Sequence, residues 1–530
     1  MMTAPGPYGL TAVLFLTATG VLPAAAQSAG TFADADRIAA QLEPTMAARQ
    51  DCEAISAWRI DGVSVIRGRT MPAADGLPSF CRVTGVISPE IQFEIALPER
   101  WNKRLYMFGN GGFAGENLAA PARVANRDRA LARGFLTVQQ NTGHDAATTP
   151  LGTFARGNLQ RLIDYGERGV HATVVLAKEL ASRYYSKSPA YSYWDGCSTG
   201  GRQGFVAAER YPADFDGILA GAPVHDFKNS QLLHVWKAQA VAEAGLTEAH
   251  QTLLGKAVLE HCDKTDGVED GLVADPRQCA FDPEAHLPMC SGAAGADCFT
   301  PAQVAAIKKA MGGIRVGGKQ MTPPLPWGAE IADTAGKSGW SGWIGADGKP
   351  GFIVQYGETY LRNMTPLGAR KPDLGWRDFD FETQFADADP VSETLAPTGA
   401  DLSAFAAMGG RIISYFGWAD PGLNPNMGIA HYEALREEMG AETGDDFFRL
   451  FMMPGMFHCR AGYGPDQLDA MTPLIEWVEQ GKAPETIVAR QKQGADVVRT
   501  LPLCSFPQVA RYGGAGDVKD AASFSCQAPQ

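Results

Sequence analysis

The segment GCSTG at residues 196–200 carries the strongest chemical signal in this chain of 530 residues. It fits the pattern G-x-S-x-G, in which a serine lies at a sharp turn between a strand and a helix. Such a turn projects the hydroxyl of Ser198, and the amide of Thr199 at the helix start points to where an oxyanion forms. The segment therefore predicts Ser198 as a nucleophile, although an ordinary glycine-rich turn also fits these five residues.

A serine nucleophile needs a base, and the base needs a carboxylate that orients it. In α/β-hydrolases the acid and then the histidine follow the serine in the chain. Asp420 ends the segment RIISYFGWAD and His458 ends RLFMMPGMFH, and both segments have strand-like patterns. The predicted triad is thus Ser198, Asp420 and His458, and the predicted chemistry is ester hydrolysis through an acyl-enzyme.

The other histidines are weaker candidates for the base among the nine in the chain. His144 also follows a predicted strand, but it precedes the serine, which favours a structural or pocket role. Most of the rest lie on predicted helices or in the central segment, residues 226–401, and surface or packing roles are expected for them: His171, His225, His234, His250, His261, His286 and His431.

A cysteine adjoins each of the two reacting residues of this triad. Cys197 precedes Ser198 and Cys459 follows His458, so a triad that brings serine and histidine together also brings the cysteines together. A disulfide between them would close a loop of roughly 260 residues and contribute about 5 kcal/mol in the chain-entropy model. It would also hold nucleophile and base at one separation. Two free cysteines adjacent by chance are the alternative.

The elements that must position these residues are short β-rich segments ending in turns: FEIALP, RLYMFGNGG, FLTVQQNTG, AYSYWDGCS and FDGILAGAP. A long periodic helix, LQRLIDYGERGVHATVVLAKELASRYY, separates the third from the fourth, and a second helix follows Ser198. Strands alternating with helices predict an α/β fold with a parallel sheet that is covered on both faces.

The alternation stops at about Asp226 and resumes after Leu402. The residues between them contain helical pieces, cysteines and a stretch rich in Gly, Pro and Trp. We therefore expect an α/β domain of residues 27–225 and 402–530, interrupted by an inserted domain of residues 226–401. An insertion after a strand lies at the carboxyl end of the sheet, where active sites form.

Composition and the N-terminus bound the function further. A net charge of −13 without a basic run argues against a nucleic-acid partner. In residues 1–26 the apolar stretch LTAVLFLTATGVL, too short to span a membrane, is followed by PAAAQ, which predicts a cleaved signal peptide. An anchored N-terminus is the alternative. The mature protein is expected to be secreted or periplasmic, without a membrane association or an organic cofactor. The sequence leaves the oligomeric state open.

The chain has ten cysteines, and an even number after a signal peptide favours disulfides. A zinc site is the other interpretation of so many cysteines, but the chain has no CxxC pair.

A family resemblance is carried by four segments: SYWDGCSTGGRQGFVAAERYPADFDGILAGAP, GWADPG, PGMFHC and FGNGGFAG. They resemble the tannase and feruloyl esterase family, which also includes the bacterial enzyme that hydrolyses mono(hydroxyethyl) terephthalate. The resemblance spans Cys52 to Cys526 and implies an α/β-hydrolase domain with an inserted lid. It implies the hydrolysis of esters of aromatic acids by the triad predicted above, with Ser198 as nucleophile, His458 as base and Asp420 as the orienting acid.

The resemblance also assigns residues around the triad. It places the oxyanion hole at the amide of Thr199 and at an amide of the glycine run, Gly111 or Gly112. It joins Cys197 to Cys459. It implies four further disulfides: Cys52–Cys81, Cys262–Cys279, Cys290–Cys298 and Cys504–Cys526.

The segment CDKTDGVEDGLVADPRQC resembles the calcium loop of the family's lid. The resemblance implies one structural Ca²⁺ held by carboxylates and backbone carbonyls: Asp263, Asp266 and Asp270 for the former, Val268 and Leu272 for the latter. Three hard anionic oxygens with glycine turns suit a flexible Ca²⁺ site. The spacing is not that of an EF-hand. A solvated acidic loop is the alternative interpretation.

The chain departs from the family at one position, where many relatives have a histidine four residues before the triad aspartate. Phe416 stands there, which leaves the polar contact to the acid part of the substrate open. The predicted function is a secreted serine esterase for feruloyl- or galloyl-type aromatic esters. The alternatives are hydrolysis of other aryl esters such as mono(hydroxyethyl) terephthalate, less favoured because the lid looks shorter, and a catalytically silent, calcium-stabilised extracellular binding protein.

Overall fold

The computed structural model describes residues 45–389, 391–397 and 399–529. The predicted signal peptide, residues 1–26, lies outside the described residues. The strands are β1 Met46–Ala47, β2 Val63–Met71, β3 Phe80–Ile87, β4 Ile91–Pro98, β5 Arg100–Trp101, β6 Arg104–Phe108, β7 Leu136–Gln140, β8 Tyr191–Cys197, β9 Gly217–Gly221, β10 Arg315–Val316, β11 Lys319–Gln320, β12 Gly345–Ala346, β13 Lys349–Pro350, β14 Arg411–Gly417, β15 Phe448–Met453, β16 Gln467–Leu468, β17 Thr486–Gln493, β18 Asp496–Cys504, β19 Val509–Tyr512 and β20 Phe524–Gln527.

The helices cover the sheet and build most of the central segment. They are α1 Pro121–Leu131, α2 Leu159–Ile163, α3 Gly169–Tyr185, α4 Thr199–Arg210, α5 Phe227–Glu243, α6 Glu248–Cys262, α7 Pro283–His286, α8 Pro301–Met311, α9 Gly339–Trp343, α10 Val354–Asn363, α11 Pro366–Arg370, α12 Phe381–Gln384, α13 Ser392–Leu395, α14 Ser403–Ala407, α15 Pro425–Met439, α16 Ala441–Phe447 and α17 Met471–Gln480. The long helix predicted before β8 is present as α2 and α3, joined by a π-helical turn. Among the described residues, none of the helices has both the length and the apolar character needed to cross a membrane.

A nine-stranded sheet forms the centre, in the order β15-β14-β9-β8-β6-β7-β4-β3-β2. Strands β15 to β7 in this order are parallel, as the alternation of strands and helices predicts. The prediction of a parallel sheet is wrong for β4, the first of the predicted strands, which is antiparallel to β7 and β3; β2 and β3, which are not among the predicted strands, are antiparallel as well. Short turns connect these three strands, and a parallel pair would need a long crossover instead.

The parallel strands are the most deeply buried part of the chain. Every residue of β6, β7 and β9 is buried, because helices cover both faces of such a sheet. Helices α1 and α3 pack against β7, α4 packs against β8 and β9, and α17 packs against β9 and β14. The turns that follow β8, β14 and β15 therefore rest on a rigid scaffold.

Between β9 and β14 the described chain adds no strand to this sheet. It instead forms the helices α5 to α14 and two small hairpins, β10-β11 and β12-β13. The expected insertion, residues 226–401, falls inside this interval. Helix α5 begins where the side chain of Asp226 accepts the amide of Asn229 at 2.9 Å, which caps the helix.

All ten cysteines lie in described residues and form five disulfides, the five pairs that the family resemblance implies: Cys52–Cys81, Cys197–Cys459, Cys262–Cys279, Cys290–Cys298 and Cys504–Cys526.

Candidate active site

Ser198 lies at the turn between β8 and α4, where the sequence pattern predicts it. Its backbone has φ +63° and ψ −119°, a conformation that L residues rarely adopt. The glycines around it are required by close packing. A Cβ at Gly201 would lie 2.3 Å from the carbonyl oxygen of Gly221, and one at Gly196 would lie 2.7 Å from Gly200. The turn thus holds the serine at the carboxyl end of the parallel sheet.

His458 and Asp420 form a direct pair after β15 and β14. Nδ1 of His458 lies 2.6 Å from Oδ2 of Asp420. The other carboxylate oxygen accepts the amides of Gly422 and Leu423 at 2.8 and 2.9 Å. The side chain of Asp420 is fully buried. These contacts orient the imidazole so that Nε2 is its remaining polar atom.

A buried lysine from α5 supports the loop that carries the acid. Nζ of Lys237, 1% exposed, donates to the carbonyl oxygens of Pro421 and Gly422 at 2.8 and 3.2 Å. Burial lowers the pKa of Lys237 to about 8, while the charge of nearby Asp420 acts in the opposite direction. Helix α5 therefore fixes the loop of residues 420–422, here called the acid loop. No local sequence pattern indicates this role of Lys237.

Two further contacts hold the histidine loop. The Cys197–Cys459 disulfide joins the residue before Ser198 to the residue after His458. The ring of Trp343, at the end of α9, lies edge-on to the imidazole of His458 with centroids 5.5 Å apart. The turn that carries Ser198 and the loop that carries His458 are thus linked covalently, and Trp343 of the central segment packs against the imidazole.

The glycine run after β6 lies against the start of α4. The carbonyl oxygen of Gly112 accepts the hydroxyl of Tyr165 at 2.9 Å and also that of Thr199. The amide of Gly111 donates to the carboxylate of Glu116 at 3.1 Å. Of the two glycines expected to supply an oxyanion donor, Gly111 is therefore engaged elsewhere, which leaves Gly112.

A cavity of about 340 Å³ opens onto Ser198 and His458. Six aromatic side chains from the sheet domain and the central segment line it: Phe113, Phe227, Trp343, Phe352, Tyr356 and Phe457. Glycines and aliphatic residues also line it, together with these polar side chains: Gln231, His234, Asp333, Lys337, Ser338 and Arg460. His234 was expected in a surface or packing role and instead lines this cavity.

Two other sequence expectations concern residues that lie outside the cavity lining. His144 is buried and stacks on Phe154 with centroids 4.0 Å apart, and burial lowers its pKa to about 4. It therefore has the structural role rather than the pocket role.

Phe416 is buried against α15, where a Cβ at Gly428 would lie 2.9 Å from its ring. The position before the acid faces the core, so polar contacts to the substrate must come from elsewhere.

The loop expected to bind calcium follows α6 and contacts the hairpin of β17 and β18. The Asp263 carboxylate accepts backbone amides of residues 270–272, and the Asp270 carboxylate accepts Arg499 of β18 at 3.1 Å. Burial raises the pKa of Asp266 to about 6, and the neighbouring Asp270 and Asp263 act in the same direction. Within the described part of the chain, no three His, Cys, Asp or Glu side chains are arranged to hold a metal ion.

The oxygen donors of this loop are nevertheless of the chemical type that a hard divalent cation prefers. Arg499 pairs with Asp270, and no ion pair to Asp263 or Asp266 is found among the described residues. Three clustered carboxylates with one cationic partner leave an excess of negative charge, which Ca²⁺ would neutralise. The two expected carbonyl ligands lie in the same loop: Val268 and Leu272.

Comparison with known proteins decides the family. The family model described as tannase and feruloyl esterase matches residues 78–527. The chain belongs to the tannase and feruloyl esterase family. Because the family and its named members are carboxylic ester hydrolases, the chain is a carboxylic ester hydrolase. The prediction of an enzyme is confirmed, and the alternative of a non-catalytic binding protein is wrong.

Relatives in this tannase and feruloyl esterase family cover most of the chain. The mono(2-hydroxyethyl) terephthalate hydrolase of Piscinibacter sakaiensis is 33% identical over 526 residues, 86% of each chain. Feruloyl esterase B of Aspergillus niger is 29% identical over 474 residues, 84% of this chain and 86% of the relative. The crystal structure of feruloyl esterase B from Aspergillus oryzae has a TM-score of 0.76 at 26% identity and covers 90% of this chain and 99% of its own. The predicted α/β-hydrolase fold is thereby confirmed.

Proposed function

We propose that this family member is an exported serine esterase that hydrolyses esters of hydroxylated aromatic acids. The observation that supports it is the His458–Asp420 pair, which opens together with Ser198 onto an aromatic-lined cavity. Export is supported by the apolar N-terminal segment with its small residues and by five disulfides. The mass of protein recovered from the periplasm or the medium tests the expected cleavage after Ala26.

The first half of the reaction forms an acyl-enzyme. Oγ of Ser198 attacks the ester carbonyl carbon while Nε2 of His458 accepts the hydroxyl proton. The carbonyl oxygen becomes an oxyanion, which accepts the amides of Thr199 and Gly112. Asp420 stabilises the imidazolium. The carbon–oxygen bond to the alcohol then breaks, and His458 donates its proton to the departing alcohol oxygen.

The second half reverses these roles with water. A water molecule attacks the acyl carbonyl while His458 accepts one of its protons. The same two amides hold the new oxyanion. When the bond to Ser198 breaks, His458 returns the proton to the serine oxygen, and the carboxylic acid leaves. Each step thus needs only the three proposed triad residues, the oxyanion donors and water.

The proposed substrate class follows from the cavity. A volume of about 340 Å³ with six aromatic side chains in its walls suits one substituted ring, which such side chains contact by stacking and edge-to-face packing. Polar groups in an apolar pocket select the substituents of a ring. Ferulate, caffeate and gallate esters each carry one aromatic ring with polar substituents, so they match both the size of the cavity and the polar groups in its lining.

A second candidate is an ester whose aromatic acid carries a carboxylate, such as mono(hydroxyethyl) terephthalate. It is favoured by two cationic side chains in the cavity lining, Lys337 and Arg460, and by the 33% identical relative that is named for this substrate. Asp333 in the same lining disfavours an anionic group there.

A panel of esters separates the two candidates. We expect kcat/KM for methyl ferulate, caffeate or gallate to exceed that for methyl butyrate at least about tenfold, because an aliphatic acid leaves the aromatic walls unfilled. The highest kcat/KM on mono(hydroxyethyl) terephthalate would support the second candidate. Equal values for aromatic and aliphatic esters would contradict the aromatic class.

We also propose one structural Ca²⁺ in the loop after α6. Asp263, Asp266 and Asp270 would hold it with carboxylates and Val268 and Leu272 with carbonyls, and the ion would neutralise the clustered charge. It supplies no step of the hydrolysis. The loop follows α6 and contacts β18 through Arg499. Loss of the ion should therefore loosen the junction between the central segment and the hairpin of β17 and β18.

Removal of the ion should lower thermal stability. With Ca²⁺ at 100 times its Kd, binding stabilises the folded state by about 2.7 kcal/mol, which exhaustive chelation would remove and added Ca²⁺ restore. Asp266→Asn should abolish this response, measured as Tm with and without chelator. Glu269→Gln is the matched control, since Glu269 is exposed in the same loop and is not an expected ligand. An unchanged Tm after chelation, with no calcium in elemental analysis, would contradict the site.

A further inference from the structure

Two polar side chains of α5, Gln231 and His234, line the cavity together with Ser198 and His458. They are 4% and 5% exposed, and their spacing of three residues places them on one face of the helix. Within the described chain, Oε1 of Gln231 and Nδ1 of His234 are enclosed without a hydrogen-bond partner. Such unpaired groups are unfavourable and uncommon in folded proteins. Because both atoms are enclosed in this structure, a ligand group can pair with them only when the two side chains turn toward the cavity that they line.

The walls beside this pair are aromatic. The rings of Phe113 and Phe227 stack with centroids 5.6 Å apart, and Tyr356 contacts Phe113 edge-on at 5.0 Å. Burial raises the pKa of Tyr356 to about 12, so this wall is uncharged. A substrate ring that packs against these walls can present a substituent to the two polar side chains of α5.

The position of the pair is fixed by helix packing. Helix α10 crosses α5 at Gly357, where a Cβ would lie 2.7 Å from the carbonyl oxygen of Gln231 and 3.6 Å from Cβ of His234. One turn further along α5, Lys237 is bonded to the acid loop. The backbone that carries Gln231 and His234 is therefore held on both sides.

The pair is also electrically neutral. The pKa of His234 lies well below its usual range because the ring is buried, and Lys237 and His458 lower it further. The charge of Lys237 is directed to two carbonyl oxygens of the acid loop. A neutral imidazole and an amide together donate and accept hydrogen bonds, which suits a hydroxyl, itself both a donor and an acceptor.

We propose that Gln231 and His234 form the subsite that recognises a hydroxyl on the ring of the substrate's acid. This assignment rests on the proposed function and adds the residues that select the substituent. It also supplies the polar contact that Phe416 cannot make, since that side chain is buried in the core.

Two esters that differ in one hydroxyl test the subsite in the wild-type enzyme. We expect kcat/KM for methyl 4-hydroxycinnamate to exceed that for methyl cinnamate at least about tenfold, because the unsubstituted ring leaves the pair unpaired. Equal values would overturn the subsite and leave the esterase proposal intact. If the wild-type enzyme hydrolysed neither of these two esters but still hydrolysed p-nitrophenyl acetate through Ser198, both the aromatic substrate class and the subsite would be overturned.

Variants then assign the residues. Gln231→Leu and His234→Leu should each reduce the ratio of the two kcat/KM values toward one, by slowing the hydroxylated ester more than methyl cinnamate. Gln239→Leu is the matched control, because Gln239 is a buried glutamine of the same helix whose amide donates instead to the carbonyls of Trp376 and Phe379. A purely structural role of Gln231 and His234 would slow both esters equally, and that result would overturn the assignment. Hydrolysis of p-nitrophenyl acetate reports whether each variant is folded.

Discussion

Replacing Ser198 by alanine should lower kcat/KM for every ester at least about 10³-fold. Triad members act as a unit, so the loss of one removes most of the acceleration that the unit supplies. Alanine also removes the only atom that we expect to bond to the acyl group. The fold should be kept, because Ser198 occupies a fixed turn and its side chain contributes little packing; the measurements are steady-state kinetics and Tm.

Ser338→Ala is the matched control for this experiment. Ser338 also lines the cavity, but its hydroxyl caps α9 by accepting the amide of Trp340 at 3.1 Å. Loss of a cap costs about 1 kcal/mol of stability, and activity should stay within a few-fold of wild type. Near-normal activity in Ser198→Ala together with a strong loss in Ser338→Ala would show that Ser198 is not the nucleophile.

Removing the Cys197–Cys459 disulfide should have the largest effect on stability. Its sequence separation is 262 residues, and the chain-entropy model assigns such a loop about 5 kcal/mol. We expect Cys197→Ala combined with Cys459→Ala to lower the free energy of unfolding by up to this amount. We also expect kcat/KM to fall at least about tenfold, because nucleophile and base are no longer held at one separation.

The Cys290–Cys298 disulfide provides the control. It closes a loop with a sequence separation of 8 residues, for which the same model gives about 2–3 kcal/mol. Neither cysteine lines the cavity. Its double alanine variant should lose stability without losing activity at 25 °C. If the Cys197–Cys459 variant retained wild-type kcat/KM, the disulfide would stabilise the fold without positioning the reacting groups.

The positions of the proposed nucleophile and its proposed partners were predictable because each residue follows a strand with a clear pattern. In a parallel sheet the carboxyl ends of the strands meet at one edge, so the turns after β8, β14 and β15 bring Ser198, Asp420 and His458 to one region. The cysteines beside two of these residues added an independent constraint on their separation. The predicted parallel sheet is confirmed for these strands for the same reason and is wrong for β4, which short turns connect to the unpredicted antiparallel strands β3 and β2.

The residues that line the cavity at Ser198 and His458 were not predictable in the same way. The pattern of α5 predicts a helix, but which face meets the cavity depends on its crossing with α10 at Gly357, far along the chain. The roles of His234 and Lys237 follow from that crossing and from the acid loop, which are contacts of tertiary structure. Trp343 likewise reaches His458 only through the packing of α9.

Covalent labelling with a fluorophosphonate tests the proposed mechanism most directly. The reagent phosphonylates a serine that a neighbouring base activates, and peptide mapping by mass spectrometry identifies the modified residue. We expect one adduct per chain, located on Ser198, with esterase activity lost in proportion to labelling. An adduct on a different residue, or a fully labelled protein that keeps its esterase activity, would contradict the assignment of Ser198 as the nucleophile.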